Sequence, residues 1–155
     1  MHSKIHEKFG IKGRHKFTFR DAVTGEIKRV SEYDNLIVNV CKNMIAQRLA
    51  GDGNGCNITY GAVGTNATAP AAGNTTLGTE NARNAVTTIS DSANVVNATT
   101  FFGASEANAT LTEFGLFGEA ATGSADSGTM VNHTAISETK TSSETLTIES
   151  VLTIS

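Results

Sequence analysis

Charged side chains are scarce in this chain, at 17% of 155 residues against 39% hydrophobic ones. The polar share falls instead to Thr, Ser, Asn and Gly, the residues of strands and turns, which argues against a helical bundle. Cysteine is also scarce. The two present, Cys41 and Cys56, have no ligand-like spacing, so both are expected as free thiols. Apolar runs are short, and none approaches the length that spans a bilayer. The N-terminus scatters charges where a signal peptide would carry its apolar stretch, so no membrane partner is expected and the protein is expected to stay in the cytosol of its producing cell. Without secretion, the Asn-x-Thr triplets that begin at Asn57, Asn66, Asn74, Asn97, Asn108 and Asn132 are by-products of a Thr- and Asn-rich composition rather than glycosylation sites.

The formal net charge of -3 conceals an uneven distribution. Eight basic residues (Lys4, Lys8, Lys12, Arg14, Lys16, Arg20, Lys28 and Arg29) crowd the first thirty positions, against Glu7, Asp21 and Glu26. The remainder of the chain is acidic. Such polarity suits a basic segment that docks on an acidic surface, and these eight residues are the candidate docking arm. A charged flank that merely keeps an exposed segment soluble would look the same.

Residues 16–20 (KFTFR) and 26–30 (EIKRV) are β-prone runs joined by DAVTG, a turn-forming link, and read as a hairpin preceded by an arm over 1–14. Between Asn35 and Ala50 the period changes. Leu36, Ile37, Val40, Cys41, Met44, Ile45 and Leu49 recur at spacings of three and four and predict one amphipathic helix, capped by Asp34 or Asn35 and closed by Gly51. Short strands follow at 57–63, 84–90, 94–102, 110–117, 129–137 and 144–154. The last alternates cleanly, with Leu146, Ile148, Leu152 and Ile154 on one face. The expected fold is mainly β: an antiparallel β-sandwich or jelly-roll-like domain over 34–155 with helix 35–50, preceded by the basic arm and hairpin over 1–33. A long loop between Gly64 and Glu80 holds the only proline, Pro70, and its length suggests a task such as strapping a neighbouring subunit. Glu80 and Arg83, three apart beside that loop, are the candidate pin that holds it, a pairing that local helical geometry would permit.

Material for chemistry is thin. His2 and His6 have a spacing that can ligate zinc on a helix, but no second pair completes a site. The DGNG turn at Asp52 to Gly55 resembles the start of a calcium loop, yet the later bidentate Glu is missing. Phosphate-cradling glycine motifs do not occur, and Phe9, Phe17 and Phe19 are the only aromatics beside the basic segment, so neither cofactor nor nucleic acid is expected. A glycan-acting enzyme would need two facing carboxylates. Glu106, Glu113 and Glu119 are available, but nothing in their spacing marks a pair. The cluster Phe101, Phe102, Phe114 and Phe117 reads as core, with any outward-pointing member a subunit contact.

Several segments, in order, resemble small virion proteins of tailed phages: DNLIVN leading into the helix, ITYGAVGTNATAPAAGNTTLGTENAR, EANATLTEFGLFGEA, GTMVNH and KTSSETLTIESVLTI. The likeness covers about residues 34–155, with Asn66 standing where such proteins often have Gly and Phe114 where they often have Ala. The resemblance implies a non-enzymatic, β-sandwich-like and often trimeric structural protein on the surface of a particle made in the host cytoplasm. The chain ending soon after the domain and the basic arm favour a homotrimeric capsid decoration protein bound to the major capsid protein. A tail-fibre, collar or baseplate adaptor bound to tail proteins is the alternative.

Overall fold

A computed structural model describes residues 8–52 and 57–155; Lys4, the His2/His6 pair, Cys56 and the glycines of the DGNG turn lie outside them. The described chain is mainly antiparallel β, with 56% in strands and one helix among the described residues. The elements are β1 (Ile11–Asp21), β2 (Ile27–Asp34), β3 (Leu36–Ile37), α1 (Asn39–Leu49), β4 (Ile58–Gly64), β5 (Glu80–Ser92), β6 (Val95–Phe102), β7 (Thr110–Gly118), β8 (Thr129–Thr139) and β9 (Glu144–Ile154).

They form one nearly closed sheet in the order β2-β1-β9-β6-β5-β4-β7-β8-β3, folded over a shared core. Strand β5 makes the corner. Its first half pairs with β4 and its second with β6, the change falling between Ala85 and Val86, and an irregularity between Val86 and Thr88 at the start of the β6 ladder lies beside it, as a bulge does where a strand changes sheets. Phe17, Phe19, Phe102, Phe114, Phe117, Leu111, Leu116, Leu146 and Ile148 fill the interior, each essentially inaccessible. Phe101 alone of the clustered aromatics points outward, 41% exposed.

The hairpin is present, but the division into a docking arm and a separate domain gives way to one sheet. Strand β1 starts at Ile11 and pairs along its whole length with β9, Ile11 opposite Ile154 and Asp21 opposite Glu144. Its sides alternate: Gly13, His15, Phe17 and Phe19 face inward, while Lys12, Arg14, Lys16 and Arg20 face solvent and Thr18, on their side, is covered. The turn after β1 is set by Asp21, whose Oδ1 accepts the N–H groups of Val23 and Thr24 at 2.9 Å each, and by Gly25 in a left-handed conformation. Those two backbone donors hold the Asp21 carboxyl below its usual range.

The helix is shorter than its periodicity suggested. Leu36 and Ile37 form β3 against His133 and Asn132 of β8, and Val38 is extended at the helix entry with no side-chain cap, so neither Asp34 nor Asn35 serves. Gly51 closes the other end with φ +79, as expected. Val38, Cys41 and Met44 are buried, whereas Leu49, at the end of the helix, is 85% exposed. Cys41 is a free thiol whose pKa burial raises to about 11, so it is inert at neutral pH.

Candidate functional site

A concave polar site lies under the loop between β4 and β5, a cavity of about 280 Å³ walled by Asn66, Thr68, Asn74 and Thr76, with Glu113 and His133 at its base. Glu113 sits on β7 and is 1% exposed. Its Oε1 accepts the N–H groups of Thr79 (2.8 Å) and Asn66 (3.2 Å), and its Oε2 accepts Gly78 N–H (2.8 Å) and lies 3.0 Å from His133 Nε2. The other ring nitrogen of His133 lies 2.8 Å from Asn74 Oδ1, which itself accepts Ala71 N–H at 2.6 Å. The loop also caps the helix, since Ala72 C=O accepts Asn39 N–H at 2.8 Å, and it buries Leu77. The strap therefore crosses its own domain. Gly64 permits this closeness, because a Cβ there would stand 2.5 Å from the Thr79 carbonyl oxygen.

A carboxylate offers about four lone-pair positions, and Glu113 has a partner at each. It has no free lone pair with which to act as a base. Replacing it by Gln sets an amide N–H₂ against backbone donors, and Glu113→Gln is expected to lose about 2 kcal/mol and to speed amide exchange at Gly78 and Thr79. Urea unfolding combined with hydrogen exchange measures both.

No family model, curated protein or solved structure matches this chain.

Glu80 and Arg83 do pair, though on a strand rather than a helix. Residue Asn81 is skipped in the ladder, where Gly64 pairs with Glu80 and Val63 with Ala82, and this bulge turns Glu80 and Arg83 to one face. The fork is bidentate, Nε to Oε1 and Nη2 to Oε2 at 2.8 Å each, with side chains 4% and 2% exposed. What it pins is the β7–β8 connection rather than the long loop: Arg83 Nη1 donates to Ser127 O (2.8 Å), Glu80 accepts Asp126 N–H (3.2 Å), and the guanidinium lies 4.2 Å from the Phe117 ring.

The candidate docking residues are largely engaged within the molecule. Arg29 sits 3.6 Å over the Phe19 ring and bonds Glu138 (3.3 Å), Glu144 (2.6 Å) and Thr139 O (2.5 Å). With Tyr33, which donates to Glu138 at 2.7 Å, it closes the seam where β2 and β8 face each other without a backbone ladder. Arg14 pairs with Glu32 and Asp34, Lys16 with Glu149 and Lys28 with Asp21, and Arg20 donates to Gly25 O. Among the described residues, Lys8 and Lys12 have no such partner.

Two buried groups, His15 and Lys140, are not among the candidates read from the sequence. His15, within the segment 1–33 read as arm and hairpin, is fully buried, with Nδ1 2.7 Å from Ser150 Oγ and Nε2 3.0 Å from Asn132 Nδ2. Asn132 Oδ1 accepts Leu116 N–H at 3.1 Å, which fixes its amide and makes Nε2 an acceptor, so the ring is neutral. Burial lowers the His15 pKa to about 3, with the Asp34 charge opposing. Lys140, 1% exposed, reaches into the turn before β7. Glu106, Glu113 and Glu119 have separate partners: Glu106 binds Asn84 and Gly103, and Glu119 binds Thr129. The signal for these groups was a polar residue inside an otherwise apolar strand, as in LTEFGLF and MVNHTAI.

Proposed function

We propose that this chain is a non-enzymatic structural protein of a tailed-phage particle, acting as a homotrimer that decorates the capsid and braces contacts between its shell subunits. The observation that carries the reading is how the molecule divides its polar groups. Buried groups such as Glu113 with His133 and Glu80 with Arg83 close on one another and lock loops, while the outer face of β6 and β9 is nearly uncharged. That face shows Asn97, Thr99, Phe101, Thr147, Val151 and Thr153, and its one charge, Glu149, is paired with Lys16. A charge-poor surface with exposed Phe101 and Val151 suits burial against another protein surface. The ordered likeness of residues 34–155 to phage virion proteins supplies the setting.

Stripping the protein from purified particles tests the bracing role. The stripped particles are expected to release their DNA at a lower temperature, and adding the protein back is expected to restore the original value. Unchanged heat resistance after complete removal argues against decoration.

A connector in the tail, collar or baseplate is the second reading, and one observation favours it. A free basic arm is what favours docking on the capsid, and Arg14, Lys16, Lys28 and Arg29 are each held by a carboxylate of this same chain.

A further inference from the structure

A lysine is seldom fully buried without a paired charge, and Lys140 sits instead among oxygens of the turn that leads from β6 to β7. Its Nζ lies 2.8 Å from Gly103 O and 3.0 Å from Asn108 Oδ1, with the carbonyls of Ala104 and Thr141 at 3.5 Å. The Asn108 amide is oriented by its own bond, Nδ2 donating to Ala104 O at 2.9 Å, so its carbonyl end is the one turned to the amine. The amine is thus held within hydrogen-bond distance of the carbonyl oxygen bonded to Asn108 Cγ, so the fold keeps the nucleophile beside the carbon it would attack.

A carboxylate completes the group. Glu106 precedes Asn108 by two residues, is fixed by Gly103 N–H (2.7 Å) and Asn84 Nδ2 (2.9 Å), and its charge acts on Lys140. Burial lowers the Lys140 pKa, opposed by Glu144 and Glu106, and a lowered pKa makes the free amine more accessible than on a solvated lysine.

We propose that Lys140 and Asn108 join in an intramolecular isopeptide bond that ties the end of β8 to the start of β7. The neutral Nζ attacks Asn108 Cγ, and the Nζ–Cγ bond forms. Glu106 takes a proton from the attacking nitrogen and delivers it to Nδ2, the Cγ–Nδ2 bond breaks, and ammonia leaves. One amide replaces another, so no oxidant or reductant takes part. Asn108 is exposed, which lets the ammonia escape to solvent. The bond would close the β7–β8 hairpin covalently, and it does not depend on the phage setting.

The test is the mass and digest of the full chain. The intact protein is expected about 17 Da below its sequence mass. Trypsin is expected to yield fragment 84–155 rather than 84–140 and 141–155, because the bond blocks cleavage after Lys140 and no other Lys or Arg lies between. Asn108→Ala and Glu106→Gln are each expected to restore the sequence mass and the tryptic cut after Lys140, while Lys140→Met, which has no cut there, is expected at its own sequence mass. A natural chain at its sequence mass overturns the proposal. So does a loss of about 17 Da with 141–155 still released, which assigns the loss to a succinimide at an asparagine. Both outcomes are read on the natural sequence and stand even if a variant does not fold.

Discussion

Acidification from pH 7 to pH 5 is expected to remove about 2 kcal/mol of folding stability through His15 alone, and about 4 kcal/mol by pH 3. In the unfolded chain this imidazole takes a proton near its ordinary pKa of 6.5, while in the folded protein burial delays protonation until about pH 3. Between those values the unfolded state holds the extra proton, so stability falls as pH falls. The folded ring cannot accept the proton cheaply, because Asn132 Nδ2 donates to its one open nitrogen and Phe114 packs edge-on at 4.9 Å. The Asp21 carboxyl, held low by its turn, adds a loss of the same sign only below its unfolded value near 3.8. The window from pH 7 to 5 therefore lies above the range in which Asp21 contributes. Urea unfolding of the natural protein and of His15→Gln across that window is expected to show the natural protein losing about 2 kcal/mol more than the variant.

Arg83→Met is expected to lose about 3–5 kcal/mol, because it leaves the Glu80 carboxylate buried without its cation. It also frees the Ser127 carbonyl and uncovers Phe117, so the 119–128 connection loosens. The double variant Glu80→Gln, Arg83→Met is expected to recover a large part of the loss, since the penalty is for the orphaned charge rather than for the missing attraction. Chemical denaturation of both variants, with a double-mutant cycle, separates these terms. Equal losses in the single and double variants would mean that packing on Phe117 is what the guanidinium supplies.

Legibility followed periodicity. The strands from β6 to β9 could be read within a few residues because Thr, Val and aromatic residues alternate there with a half-buried period of two. Strand β1 was shortened because its inward face begins with Gly13 and His15, which do not register as core residues until Phe17 follows. Leu36 and Ile37 fit helical spacing as well as a strand, and only their pairing with His133 and Asn132 decides between them. The polar clusters were the least legible. Glu113 meets His133, His15 meets Asn132 and Arg29 meets Glu138 only once strand order and register are fixed, and no local pattern encodes either. Glu80 and Arg83 were close enough in sequence to be noticed, but the bulge that turns both to one face has no local signature in ENAR.

The central claim, a structural component of a phage particle, is tested most directly by quantitative mass spectrometry of purified particles separated into heads and tails. The account predicts the protein in stoichiometric amounts on the heads, at many copies per particle and in multiples of three. Its absence from intact purified particles would contradict the account.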